Sequence, residues 1–89
     1  MAWTIELGRL AERELDRLDP QTACRILIFL NDRIAPLDDP RSVGQALKGV
    51  KLGNFWKYRV GDYRIICSIE DQSVRILIVM IGNRRDVYQ

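Results

Sequence analysis

Three cations lie close together in FWKYRVGDYRI (55–65): Lys57, Arg59 and Arg64, with Asp62 as the sole acid of the stretch. A second group sits in IGNRRDVYQ (81–89), which carries Arg84, Arg85 and Tyr88. Arginine donates hydrogen bonds in a planar fork that fits a phosphate. An exposed aromatic ring can stack on an unpaired base. A surface built from Lys57, Arg59, Arg64, Arg84 and a tyrosine could therefore hold RNA without a metal. The chain has no histidine, so the commonest general base and the commonest metal ligand are both missing. Two separated cysteines make a poor zinc site. The sequence shows no phosphate-cradling glycine loop, no paired carboxylates and no Ser-His-Asp set. No metal and no cofactor are expected.

The charge distribution agrees with an anionic partner for the second half. Residues 1–40 hold five arginines against eight acids (−3), and residues 41–89 hold nine Lys/Arg against four acids (+5). The length, 89 residues, suits one domain, 1–89, with one modest core. The apolar runs Ile26–Leu30 and Ile76–Ile81 are far shorter than the roughly 20 residues that span a bilayer. MAWTIELGRL (1–10) lacks the basic lead and apolar stretch of a signal peptide. A cytoplasmic location without membrane association is expected. Cys24 and Cys67 both lie in apolar contexts and are read as two reduced core thiols.

The elements that must position the cations follow from periodicity. AWTIEL (2–7) alternates as a strand, and Gly8 breaks it. Ala11, Leu15 and Leu18 recur at helical spacing over 9–18. The pairs Arg9–Glu12, Arg13–Asp16 and Glu14–Arg17 stand at i,i+3 on its wet side. Asp19-Pro20 starts a second helix, as N-cap and first helical residue. That helix is expected to run to about Leu37, with Ala23, Ile26, Leu27, Leu30, Ile34 and Leu37 as its buried stripe, widened by Phe29. A polar connector spans 38–54 and contains Gly44, Gly49 and Gly53. Three strands are expected at about 55–60, 63–70 and 73–82. Gly61-Asp62 is a two-residue hairpin signal, and Asp71-Gln72 is a second. Short links make these strands antiparallel neighbours. The fold class is α+β: β-α-α-β-β-β, with the two N-terminal helices on one face of a mainly antiparallel sheet.

The hairpin fixes the register. With Gly61 and Asp62 as the turn, Val60 faces Tyr63, Arg59 faces Arg64, Tyr58 faces Ile65, Lys57 faces Ile66 and Trp56 faces Cys67. Trp56, Tyr58, Val60, Ile65, Cys67 and Ile69 then share the face that covers the helices. Lys57, Arg59 and Arg64 share the other with Phe55, Ile66 and Ser68. Like charges directly across strands repel, and at about 4 Å the cost is roughly 1 kcal/mol in water and about 4 at a partly buried surface. A bound phosphate reverses that sign; an ordinary basic solvent face tolerates it.

These features together resemble the RelE/ParE superfamily of toxins from type II toxin–antitoxin modules. The resemblance covers nearly the whole chain. It rests on Ala11, Leu15 and Leu18, the second helix, Leu47-Lys48-Gly49, WKYRVGDYRII (56–66) and IGNRRDVY (81–88). For the RelE branch it implies an endoribonuclease that cuts mRNA in the ribosomal A site by attack of the ribose 2′-OH on the adjacent phosphate. Carried over by position, Lys57 resembles the strand lysine that aids phosphate activation. Arg64 resembles the arginine that stabilises transition-state charge, and Arg84 the one that supports the leaving group. Tyr88 resembles the C-terminal tyrosine that stacks or transfers a proton. Arg59 is implied as a substrate-positioning residue. Lys48, Lys51 and Arg85 are implied as RNA-binding residues.

The sequence departs from the RelE pattern at two positions: Phe55 stands where RelE has a second lysine, and Asn83 where many relatives have a histidine. The stretch between Arg84 and Tyr88 is also short. Two other functions share the fold, a ParE-like DNA gyrase inhibitor and a non-toxic RNA-binding member. A toxin implies a cognate antitoxin, acidic and partly disordered, and contact with promoter DNA only through the antitoxin complex.

Overall fold

The computed structural model describes residues 2–47 and 55–83. Strand β1 (Thr4–Leu7) leads into helix α1 (Arg9–Arg17) and helix α2 (Pro20–Ile28). The edge strand β2 (Gln45–Ala46) follows, then β3 (Phe55–Val60), β4 (Tyr63–Glu70) and β5 (Arg75–Asn83). The sheet order is β1-β5-β4-β3-β2. All neighbours are antiparallel except β1 and β5, which run parallel. The expected α+β class with two helices and a mainly antiparallel sheet is the observed one.

The core lies between the helices and one face of the sheet. Ala11 and Leu15 of α1 and Ile26 of α2 meet Tyr58, Ile65, Cys67, Ile76, Ile78 and Ile81. Burying each large aliphatic side chain contributes about 1.5–3 kcal/mol, so this layer fixes which face of the β3–β4 hairpin remains open. Trp56 and Val60 pack at its border. The β3–β4 register matches the expected one pair for pair, and Phe55 continues it opposite Ser68. Gly61 has φ +59, the positive value that the first position of a tight type II′ hairpin turn requires.

Alternation on β5 is interrupted. Ile66 pairs with Met80 but Cys67 pairs with Ile78, so Val79 is an extra residue between them. This bulge lets Ile76, Ile78 and Ile81 all face the core although their spacing is not strictly even. It also brings Gly82 opposite Arg64 on the open face.

Several expectations need correction. The second helix does not continue regularly to Leu37: α2 gives way to a π-helical turn over Phe29–Ile34. The Asn31 side-chain amide donates to the Leu27 carbonyl (2.9 Å), the acceptor an α-helix would reserve for the Asn31 backbone N–H. The Ala35 N–H reaches back five residues to the Leu30 carbonyl. The buried stripe survives this change, because Ile26, Leu30 and Ile34 remain fully enclosed. Cys24 is exposed, not a core thiol; its helix turns Ala23, Ile26 and Leu27 inward instead. Cys67 is buried, and burial pushes its thiol up to about 12. The 38–54 connector is not structureless, since Gln45–Ala46 pairs with β3. The expected Glu14–Arg17 pair is not formed: the half-buried Glu14 carboxylate accepts the Ile81 backbone N–H (3.1 Å), just past the bulge. Asp71-Gln72 opens a short 3-10 turn, Asp71–Ser73, so the last strand starts at Arg75.

Candidate nucleic-acid interface

Lys57 and Arg59 project from one face of β3, and Arg64 joins them from β4 directly opposite Arg59. Directly opposed Cβ atoms lie about 4.5–5.5 Å apart, so two guanidinium groups rise from neighbouring points of the sheet. The other cross-strand neighbour of Arg64 is Gly82, which adds no side chain. Lys57, Arg59 and Arg64 together line a cleft of about 310 Å³, closed by Gly44, Gln45 and Tyr58. Among the described residues that line it, none carries a carboxylate. The Arg59 Nε–H also leans toward the Gly61 carbonyl of its own turn, at 3.4 Å. The geometry therefore brings together three of the eight sequence-predicted site residues. Arg84, Tyr88, Lys48, Lys51 and Arg85 lie outside the described residues.

Two lining residues were missed in the sequence. Gly44 and Gln45 were read as connector, but the two-residue β2 places Gln45 opposite Lys57. A strand that short leaves no periodicity to detect; the glycine was its only local signal. Gly44 takes φ +85, and a Cβ there would meet the Lys57 carbonyl at 2.5 Å, Trp56 Nε1 at 2.7 Å and Tyr58 Cδ1 at 2.8 Å. The backbone can approach β3 this closely only without a side chain.

The loop before Gly44 is clamped to the sheet by three contacts. The Tyr58 hydroxyl donates to the Pro40 carbonyl (2.6 Å) from the core face of β3. Burial raises the Tyr58 hydroxyl above its ordinary range, so it stays a neutral donor. The Trp56 indole N–H donates to the Val43 carbonyl (2.7 Å). Arg41 donates through both terminal nitrogens to both oxygens of Asp71, each at 2.9 Å. Alternation on β3 thus has two uses: Trp56 and Tyr58 pin the loop while Lys57 and Arg59 face the cleft.

The Arg41 guanidinium holds the Asp71 carboxyl below its ordinary value of 3.8. A depressed carboxyl contributes stability that is present above its unfolded pKa and lost as pH falls through the folded one. The stability difference between wild type and Asp71→Asn is thus expected to stay constant from about pH 7 to pH 5 and to shrink toward zero below pH 3.8. Denaturant unfolding of both proteins across that range checks it. A difference that persists at pH 2 would mean the link acts through packing, not charge.

Away from the cleft the open face carries an ion-pair cluster with one cation and two carboxylates. Arg75 bridges Glu6 and Glu70. On the helix side of the sheet, Ile28 is 53% exposed. It borders a broad groove with Phe29, Val60, Arg25, Arg33 and Asp32. Among the described residues, no cluster of His, Cys, Asp or Glu could hold a metal ion, and no helix is long and apolar enough to cross a membrane.

The family model described as the ParE toxin of type II toxin-antitoxin system, parDE, matches residues 5–88. Toxin RelG of Mycobacterium tuberculosis is 27% identical over 89 residues, covering 100% of this chain and 99% of the relative. Among solved structures, the RelBE2 toxin-antitoxin complex from M. tuberculosis matches with a TM-score of 0.83 at 24% identity, over 94% of this chain and 93% of that one. The isolated E. coli RelE toxin matches with a TM-score of 0.71 at 18% identity, over 98% and 92% of the two chains. A match that runs from β1 to the end of the basic 81–88 segment places this chain in the RelE/ParE superfamily, as a toxin of a type II toxin–antitoxin module.

Proposed function

We propose that this toxin is a metal-independent endoribonuclease that cuts mRNA in the ribosomal A site. The observation that carries this reading is the convergence of Lys57, Arg59 and Arg64 on one cleft. The reaction needs charge stabilisation more than any other contribution. The 2′-oxygen of one nucleotide attacks the adjacent phosphorus and loses its proton. The 5′-oxygen of the next nucleotide leaves with a proton, and a 2′,3′-cyclic phosphate remains. Lys57 and Arg64 bind the phosphate oxygens as negative charge grows on them, and Arg59 holds the strand in register. Arg84 supports the leaving oxygen and Tyr88 stacks or transfers a proton. Lys48, Lys51 and Arg85 contact RNA at the margins. General acid–base groups contribute typically 10²–10⁴-fold beside this charge stabilisation.

The partner proposed with this activity is a cognate antitoxin of acidic, partly disordered character that neutralises the basic face. The solved RelE-type relatives include complexes with RelB antitoxins. Promoter DNA is then bound only through the antitoxin complex. Exposed Ile28 beside Phe29 and Val60, with Arg25 and Arg33 at the rim, offers such a segment an apolar anchor with cationic edges.

A second reading is favoured by the description of the matching family model, which is a ParE toxin. It is inhibition of DNA gyrase by protein–protein contact, and it needs no catalytic cleft. One pair of assays separates the two. Purified toxin is expected to cleave mRNA on programmed ribosomes and to leave gyrase supercoiling unchanged. The opposite result would transfer the function to the gyrase reading.

A further inference from the structure

We propose that Phe55 is a base-stacking platform for the RNA strand, one side-chain step along β3 from Lys57. The proposal rests on the RNA-cleavage reading and names a further substrate-contacting residue within it.

The first observation concerns aromatic usage. Of the aromatic residues described, Trp3, Phe29, Trp56, Tyr58 and Tyr63 all belong to the hydrophobic core or pack against it. Phe55 does not. The register puts it on the opposite face, because it pairs with Ser68 while its neighbour Trp56 pairs with the buried Cys67. Its ring is half-buried, and the residue directly across on β4 is a small serine. Half of this phenylalanine therefore remains open to a ligand on the face that carries the cations.

The second observation is what stands beside it. Phe55, Lys57 and Arg59 occupy alternate positions of one strand and point the same way, with steps of about 7 Å. Arg64 adds a third cation to this row from β4. Beyond the ring, Glu70 and Glu6 are both bridged by Arg75, which cancels one of their two charges. A row of cations ending in an apolar ring complements one kind of ligand: a chain of phosphates carrying flat, unpaired bases. A duplex would hide its base faces, and an acidic peptide would leave the ring without a flat partner. The phosphate to be cut lies against Lys57 and Arg64, and the base of a flanking nucleotide lies on Phe55.

Stacking of this kind is sequence-tolerant and serves binding and positioning more than bond breaking. The test uses wild type, Phe55→Leu and Phe55→Trp on programmed ribosomes, with mRNA carrying 2-aminopurine next to the cleavage position. Phe55→Leu keeps an apolar side chain of similar reach but removes the flat ring. It is expected to raise the half-saturating ribosome concentration about 5- to 30-fold while leaving the saturated cleavage rate within a few-fold. Phe55→Trp is expected to restore tight binding. With a 2′-deoxy substitution blocking cleavage, wild type and Phe55→Trp should quench 2-aminopurine fluorescence and Phe55→Leu should not. A merely structural role would move the melting temperature with no change in quenching. Equal half-saturation and equal quenching in wild type and Phe55→Leu would overturn the proposal. So would loss of antitoxin binding in Phe55→Leu with RNA behaviour unchanged, which would make the ring a protein contact. The cleavage reading is tested separately by the wild-type arm: if wild type cuts no mRNA, that reading fails by itself.

Discussion

Replacement of Arg64 by methionine is expected to slow mRNA cleavage on programmed ribosomes by about 10²–10³-fold, the usual cost of removing one preorganised donor from a developing oxyanion. Methionine keeps the aliphatic stem and removes the charge. The same change is expected to leave folding stability within about 1 kcal/mol of wild type, because it also relieves the repulsion between directly opposed Arg59 and Arg64. The two effects differ in size and need not share a sign. A structural residue would lower both together. Arg64→Lys keeps the charge but loses the fork, so an intermediate loss is expected if forked donation matters. Single-turnover cleavage and thermal melting of the three proteins provide the measurements. If Arg64→Met cut mRNA at the wild-type rate, Arg64 would have no part in the chemistry. Growth arrest gives a second readout: Arg64→Ala combined with Arg84→Ala should abolish it.

How legible this site was depended on how local its causes are. Gly61-Asp62 is a two-residue turn, and a two-residue turn sets every pair between β3 and β4 by counting. The separation of Lys57, Arg59 and Arg64 from Trp56 and Tyr58 was therefore available from the sequence, and the structure has the same pairs. The long-range features were not available. Nothing in the sequence near Val79 announces the β5 bulge, which arises from reconciling three isoleucines with one core face. Cys24 looked apolar by its neighbours but falls on the outer side of α2, where one helical step decides exposure. Glu14 looked like half of a surface pair. Its preferred partner is a backbone N–H of β5, 67 residues away. Such partners can be found only when the chain is folded.

The cleft itself illustrates the same division. Its cations come from a hairpin that reads clearly, and its wall comes from Gly44 and Gln45, in a segment that reads as loop. The wall is held by residues of the opposite face. Trp56 and Tyr58 point toward the core side, yet their polar atoms reach around to the Val43 and Pro40 carbonyls. The shape of the cleft thus depends on side chains anchored on the other face of β3.

That dependence is sharpest at Gly44, where alanine is expected to cost about 3 kcal/mol or more. An L-residue at φ +85 is strained by roughly 1–2 kcal/mol. The added methyl would also sit 2.5 Å from the Lys57 carbonyl, 2.7 Å from Trp56 Nε1 and 2.8 Å from Tyr58 Cδ1. None of the three can yield cheaply. The first is backbone in a paired strand, the second is bound to the Val43 carbonyl, and the third belongs to a buried ring. The entropy lost by the unfolded chain offsets only about 0.4–1 kcal/mol. For a domain of this size, 1 kcal/mol corresponds to about 4–8 °C in Tm, so a fall of about 10–20 °C is expected. Relief requires β2 to leave β3, which removes Gln45 from its place opposite Lys57 and opens one wall of the cleft. Cleavage should then fall even at temperatures where Gly44→Ala remains folded. A synthetic chain with D-alanine at position 44 removes both causes together and is expected to melt close to wild type. It accepts the positive φ and carries its methyl on the other side of Cα, away from these atoms. If both D- and L-alanine proteins melt like wild type, neither the close approach nor the backbone angle holds the wall in place.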